Sequence, residues 1–158
     1  MSEVEGKIAE QPNSNAPPTG KWTTGLYDCF DDKGNCKFCC YTWCSPTEAF
    51  GSNAEIIDQG RTSATRARLT YFGLSLFGLH CLYSYKFRIK LRSLYNLPEE
   101  PCSDCCVHNC CILCAICQEY RELKNRGLDP LIGWKANEER MMRKANMEAP
   151  RVASAMTR

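Results

Sequence analysis

Leu69-Thr-Tyr-Phe-Gly-Leu-Ser-Leu-Phe-Gly-Leu-His-Cys-Leu-Tyr-Ser-Tyr85 is the stretch that decides the class of this chain. It carries no formal charge, and its one imidazole, His80, is mostly neutral near pH 7. As a single helix it is roughly 25 Å long, against a hydrocarbon core of about 30 Å, the short end of a spanning helix. Gly73 and Gly78 are tolerated better in membrane helices than in soluble ones. Basic residues stand on both sides: Arg61, Arg66 and Arg68 before it, Lys86, Arg88, Lys90 and Arg92 after it. The positive-inside rule asks for such charges on the cytosolic side, and a single crossing cannot put both flanks there. Two arrangements resolve the conflict. The segment is a kinked re-entrant hairpin or lies in the interface; or it crosses, and a second apolar run from Val107 to Cys117 lies against or in the membrane. A third arrangement is a buried helix of a small soluble bundle. The basic flanks then either hold anionic headgroups, at about 1 kcal/mol each near the surface, or are solvated helix ends.

Outside this stretch the chain has room for one modest domain and tails: it is 158 residues long. Charge is nearly balanced, 20 Lys+Arg against 18 Asp+Glu, which argues against a nucleic-acid partner. Residues 1–21 lack a basic start, an apolar run and a small-residue cleavage site, so no secretory signal is expected. Pro12, Pro17 and Pro18 among Asn, Ser and Gln make them a disordered leader, expected to begin in the cytosol. The reading divides the rest into a Cys-rich domain over 22–134 and a charged tail over 135–158. In that tail Met141, Met142 and Met147 lie among Arg140, Arg143 and Lys144, a pattern open to a basic amphipathic helix or to disorder.

Cysteine is the compositional outlier, at 13 residues. Cytosolic thiols stay reduced, which favours metal binding over disulfides, while vicinal cysteines are also open to lipidation or oxidation. One cluster holds Cys29, Cys36, Cys39, Cys40 and Cys44; the other holds Cys102, Cys105, Cys106, Cys110, Cys111, Cys114 and Cys117. CxxC spacings join Cys36 to Cys39, Cys102 to Cys105, Cys111 to Cys114 and Cys114 to Cys117. Such a turn brings two thiolates within reach of one Zn²⁺, with Zn–S near 2.3 Å, and two turns complete a tetrahedron. Thiolates suit Cd²⁺ and Cu⁺ as well. A second Cys-rich helix is expected over 105–126. If it is unbroken, Cys106, Cys110, Cys114 and Cys117 share one stripe. Packing of Cys as a small apolar residue explains the same stripe. His108, inside this cluster, is the better histidine ligand candidate, whereas His80 fits a neutral ring bonded to backbone.

The run Gln118 to Arg126 continues the helix, with Glu122 and Arg126 as an i,i+4 pair, and is read as a solvated face. Gly127 is placed to end it and Pro130 forbids continuation. Trp134 is an interfacial anchor or a core plug. There is no GxSxG, HExxH, P-loop or GxGxxG, so no enzyme is expected.

Trp22-Thr-Thr-Gly-Leu-Tyr-Asp-Cys-Phe30, Phe50-Gly51 with Ala54-Glu-Ile-Ile-Asp58, and Gln118-Glu-Tyr-Arg-Glu-Leu-Lys with Gly127-Leu-Asp-Pro and Gly133-Trp134 resemble the plant cadmium resistance and cell number regulator proteins, of the placenta-specific-eight Cys-rich family. The resemblance covers about Trp22 to Trp134. It implies small membrane proteins, at the plasma membrane, that self-associate. Some are linked to cadmium or zinc efflux and resistance, others to control of cell number and organ size. The family's Cys-Cys, four residues, Cys-Pro-Cys falls on Cys39-Cys40 and Ser45-Pro46-Thr47, so two thiols are hydroxyls here, with Cys44 immediately before. Hydroxyls are poor ligands for soft Cd²⁺.

The expectation is a mainly α, Cys-rich, membrane-associated protein with one or two short membrane-embedded helices and disordered tails. Its leading function is efflux or sequestration of Zn²⁺ or Cd²⁺ by a homo-oligomer. The candidate ligands are Cys36, Cys39, Cys40, Cys44, Cys102, Cys105, Cys106, His108, Cys110, Cys111, Cys114 and Cys117. The alternatives are a non-transporting regulator or scaffold at the membrane and a soluble zinc-binding module.

Overall fold

The computed structural model describes residues 20–28 and 36–155, with the side chains of 36–38 and 148–155 left aside. The leader up to residue 19 lies outside the described residues, as does Cys29. The described residues are mainly helical, with no strand: α1 (Cys36–Cys44), α2 (Pro46–Ile57), α3 (Ala64–Ser75), α4 (His80–Tyr95), α5 (Asp104–Cys110), α6 (Ile112–Asn125), a single 3₁₀ turn (Pro130–Ile132) and α7 (Gly133–Ala155). The mainly α expectation is met.

Local chemistry sets most of the ends. Pro46 sits in the first turn of α2, where its missing N–H costs nothing. Ser63 caps α3 by accepting from the Arg66 N–H, and Ser103 caps α5 by accepting from the Cys106 N–H. Gly127, at φ 87°, closes α6: its N–H reaches the Lys124 carbonyl and that of Leu128 reaches Leu123. The Glu122–Arg126 pair forms at 2.6 Å.

The main core gathers around α2 and α6. Phe50 is fully buried, its ring 4.7 Å from Tyr71, 5.7 Å from Tyr83 and 5.4 Å from Phe87. Ala54, Ile56, Ile57, Leu91, Ile116, Tyr120, Leu123 and Trp134 complete the cluster, so Trp134 is a core plug. It lies so close over Gly60 that a Cβ there would stand 2.4 Å from its Cδ1. The tail is helical from Lys135 through Ala155, in place of the disorder expected for it.

The apolar stretch does not form one helix. It breaks after Ser75 and restarts at His80, so α3 and α4 make a hairpin whose turn carries Gly78 at φ 69°. No helix among the described residues is long and apolar enough to cross a membrane. The expected membrane-embedded spans are therefore not supported; the segment is a kinked helical hairpin. The second Cys-rich helix is also interrupted: Cys111 takes φ −140° and ψ 52°, which separates α5 from α6. Val107 and Ala115–Cys117 on either side of that break are buried in the protein.

Replacing Phe50 by Ala removes the ring on which three aromatic side chains pack. It is expected to lower stability by about 3–5 kcal/mol, measurable by chemical unfolding of the full chain.

Candidate metal centre

The break at Cys111 sorts the thiols. Cys106 and Cys110 lie one turn apart on α5, both exposed, with Sγ atoms 3.9 Å apart. Cys102, just before the helix, bonds Cys106 through its side chain. The crowding has an electrostatic result. The hydrogen bond that Cys106 donates to Cys102 outweighs the one from Cys110 and holds the Cys106 thiol above its ordinary value, and Cys106 likewise raises Cys110. Tyr27 stands nearby, and the charges of Cys111, Cys114 and Cys102 push its phenol up, with burial adding to the first of these.

A second meeting point joins the two sequence clusters. Cys39 of α1 is buried against Cys117 of α6, with half-buried Cys114 beside them. Cys40 and Cys44 are exposed one turn apart on α1. Cys105 is exposed and Cys111 half-buried. The Cys36 side chain lies outside the described residues. The stripe expected for Cys106, Cys110, Cys114 and Cys117 does not exist as one surface, because the kink leaves the first two in solvent and buries Cys117. Among the described residues, no group of three or more His, Cys, Asp or Glu side chains is arranged to hold a metal ion. Cys106 with Cys110 is a pair, and Cys102 extends it.

His108 turns the other way. Its Nδ1 is 2.9 Å from Ser84 Oγ and its Nε2 2.9 Å from Glu119 Oε1, with all three side chains buried. Both ring nitrogens are committed, so none is left for an ion shared with Cys106 and Cys110. Glu119 belongs to a charged layer that the sequence reading missed. Arg88, fully buried, donates from Nε to Asp104 Oδ1 at 3.2 Å and from Nη2 to Gln118 Oε1 at 2.9 Å, and its Nη1 lies 3.8 Å from Glu119 Oε1. Arg92 pairs with the other oxygen of Asp104. Trp22 covers the Arg88 guanidinium at 4.4 Å. Desolvation pushes the Tyr71 phenol up to about 12, with Cys81 and Glu119 contributing.

The same layer explains why the run from Gln118 to Glu122 is buried, where a solvated face was expected. Residues 20–28 lie along α6 and α6 holds their backbone. Glu122 Oε2 accepts from Thr23 N at 2.8 Å and Thr23 Oγ1 at 2.7 Å, Gln118 donates to Thr24 O at 3.0 Å, and Arg121 to Gly25 O at 3.0 Å. Trp22 Nε1 donates to Pro98 O at 2.9 Å. Arg88 itself, read as a basic flank beside a membrane segment, is the centre of this layer.

Residues 22–122 match the PLAC8 family, and the chain belongs to that family. Cell number regulator 4 of Zea mays is 52% identical over 122 residues, covering 74% of this chain and 75% of that protein. Protein PLANT CADMIUM RESISTANCE 9 of Arabidopsis thaliana is 48% identical over 134 residues, 85% of this chain and 86% of that protein. Cell number regulator 10 of Zea mays is 48% identical over 128 residues, 80% of this chain and 79% of that protein. No solved structure matches the chain.

Replacing Arg88 by Ala leaves Glu119 buried without its cation and Asp104 with Arg92 alone, at an expected cost of about 3–5 kcal/mol. Replacing exposed Cys106 by Ser is expected to change stability by less than about 0.5 kcal/mol. Urea unfolding of the two variants checks both.

Proposed function

We propose that this protein captures soft divalent metal ions, Zn²⁺ or Cd²⁺, through the surface thiols of α5 and so sequesters them. The observation that carries this is the Cys106–Cys110 separation of 3.9 Å. Two thiolates on one tetrahedral ion with Zn–S near 2.3 Å stand about 3.8 Å apart. The pair therefore already has the edge of a coordination tetrahedron, and an ion can enter without unwinding α5. Water or a mobile ligand would complete the coordination of an ion held by this pair. A relative named for cadmium resistance, 48% identical, supports the soft-metal reading. Capture fits the described helices better than a conduit, since none of them is long and apolar enough to cross a membrane. Efflux would call for an oligomer with spanning parts elsewhere.

A second reading is a non-transporting regulator or scaffold. It is favoured by Ser45 and Thr47, hydroxyls where the family pattern expects thiols, and by a 52% identical relative named as a cell number regulator. On that reading the thiols bind no ion in the cell and control of cell number runs through contacts with other proteins.

Titration of the reduced full chain with Cd²⁺, followed by the sulfur-to-metal charge-transfer absorbance, separates the two. The Cys106→Ser, Cys110→Ser double variant is expected to weaken binding by at least tenfold, with an unchanged melting point. Undiminished binding in that variant rejects α5 as the site. Because the two thiols sit above their ordinary range and an ion must displace their protons, affinity is expected to rise with pH. The limit is about a hundredfold per pH unit while both are protonated, levelling once they ionise. Calorimetry at pH 6, 7 and 8 checks the sign.

A further inference from the structure

We propose that Cys39 and Cys117 form a reversible disulfide between α1 and α6, closed by hydrogen peroxide that enters at Cys114. This inference stands independently of metal capture, which uses the thiols of α5. The two sulfurs come from different sequence clusters, yet the fold buries both, each 1% exposed, against one another. Half-buried Cys114 packs on the pair, and all three stand as thiols. Among the described residues, the other two buried clusters are built from aliphatic and aromatic side chains, and this one from sulfur alone. Metal binding does not account for it, since no group of three His, Cys, Asp or Glu among the described residues is arranged to hold an ion. Packing asks only for small apolar volume, which gives no reason for sulfur on both sides of one helix contact. Bond formation uses both.

The three thiols differ in access and in freedom. α6 is held at Cys117, because Arg121 Nε donates to Cys117 O at 3.3 Å and Arg121 Nη2 to Gly25 O at 3.0 Å. Cys114 lies one turn earlier on the same face and borders the small cluster of Leu26, Val107 and Ala115. It is the one of the three that solvent reaches, so oxidant meets it first. Peroxide takes two electrons from the Cys114 sulfur: the O–O bond breaks, one oxygen stays as the sulfenic acid and the other leaves as water. The Cys117 thiol attacks that sulfur, an S–S bond forms, the S–O bond breaks, and the hydroxyl leaves with the thiol proton as a second water. Cys39, as thiolate, then attacks the Cys117 sulfur, and Cys114 departs with the proton that Cys39 lost. One peroxide is consumed, Cys39 and Cys117 are oxidised, and Cys114 is restored. A dithiol reductant opens the bond by the same exchange. The ring so closed takes in α2 to α5, so oxidation locks most of the domain. Under reducing conditions a bond of this kind is transient and reports the oxidant.

The test is oxidation of the reduced, metal-free full chain by one equivalent of hydrogen peroxide, followed by alkylation of the remaining thiols and mass-spectrometric mapping of linked peptides. The expected product joins Cys39 to Cys117 and melts roughly 5–15 °C higher than the reduced chain, a shift that dithiothreitol reverses. Cys39→Ala and Cys117→Ala are each expected to abolish the link and the shift. Cys114→Ala is expected to slow linking at least tenfold. Cys106→Ser with Cys110→Ser is expected to link as wild type does, so loss of the disulfide and loss of metal capture read out separately. A wild-type chain whose other thiols oxidise while α1 and α6 stay unlinked overturns the proposal, and that result needs no variant to fold. So does a link between α1 and α6 that survives Cys39→Ala, or one that forms at the wild-type rate in Cys114→Ala.

Discussion

A buried arginine cannot shed its proton, so the protein must be built around it. Arg88 meets that demand with Asp104 from α5, Gln118 and Glu119 from α6, and the face of Trp22 from the segment preceding α1. One guanidinium therefore fixes α4, α5, α6 and residues 20–28 relative to one another. His108 adds a second tie between the same helices by bonding Ser84 and Glu119. Exchanging a whole buried ion network for apolar residues is often neutral. Removing one partner alone is what destabilises.

The layer also decides what faces outward. Asp104 and His108 are drawn inward on α5, so Cys106 and Cys110 on the same short helix are left at the surface. α4 carries Arg88 in its middle and the hairpin tip at its start. A charged interior and an apolar exterior at the tip thus belong to one helix. An exposed apolar cluster of this kind marks an interaction surface.

What was legible in the sequence was local. The Gly127 cap and the Glu122–Arg126 pair each act within one turn, and each is found. The apolar run allowed a kinked hairpin among other arrangements but did not select it, because a turn closed by Gly78 leaves the hydropathy pattern unbroken. The charged layer left no periodic trace, since Arg88 finds Asp104 16 residues away and Gln118 30 residues away. Glu119, Arg121 and Glu122 looked like a solvated face for the same reason: the segment that covers them lies about a hundred residues earlier, Thr23 to Glu122 being 99 apart. The cysteines gave their chemistry but not their grouping. The kink at Cys111 parts thiols that a straight helix would align, and the fold joins Cys39 to Cys117 across the two clusters.

The account rests most heavily on α5 presenting a ready-made thiolate edge. X-ray absorption at the zinc edge, on the reduced full chain loaded with one equivalent of Zn²⁺, examines that edge directly. The account predicts a sulfur shell near 2.3 Å that is lost when Cys106 and Cys110 are both replaced by Ser. A shell of nitrogen and oxygen alone, near 2.0–2.1 Å, or a sulfur shell unchanged in that variant, would contradict it.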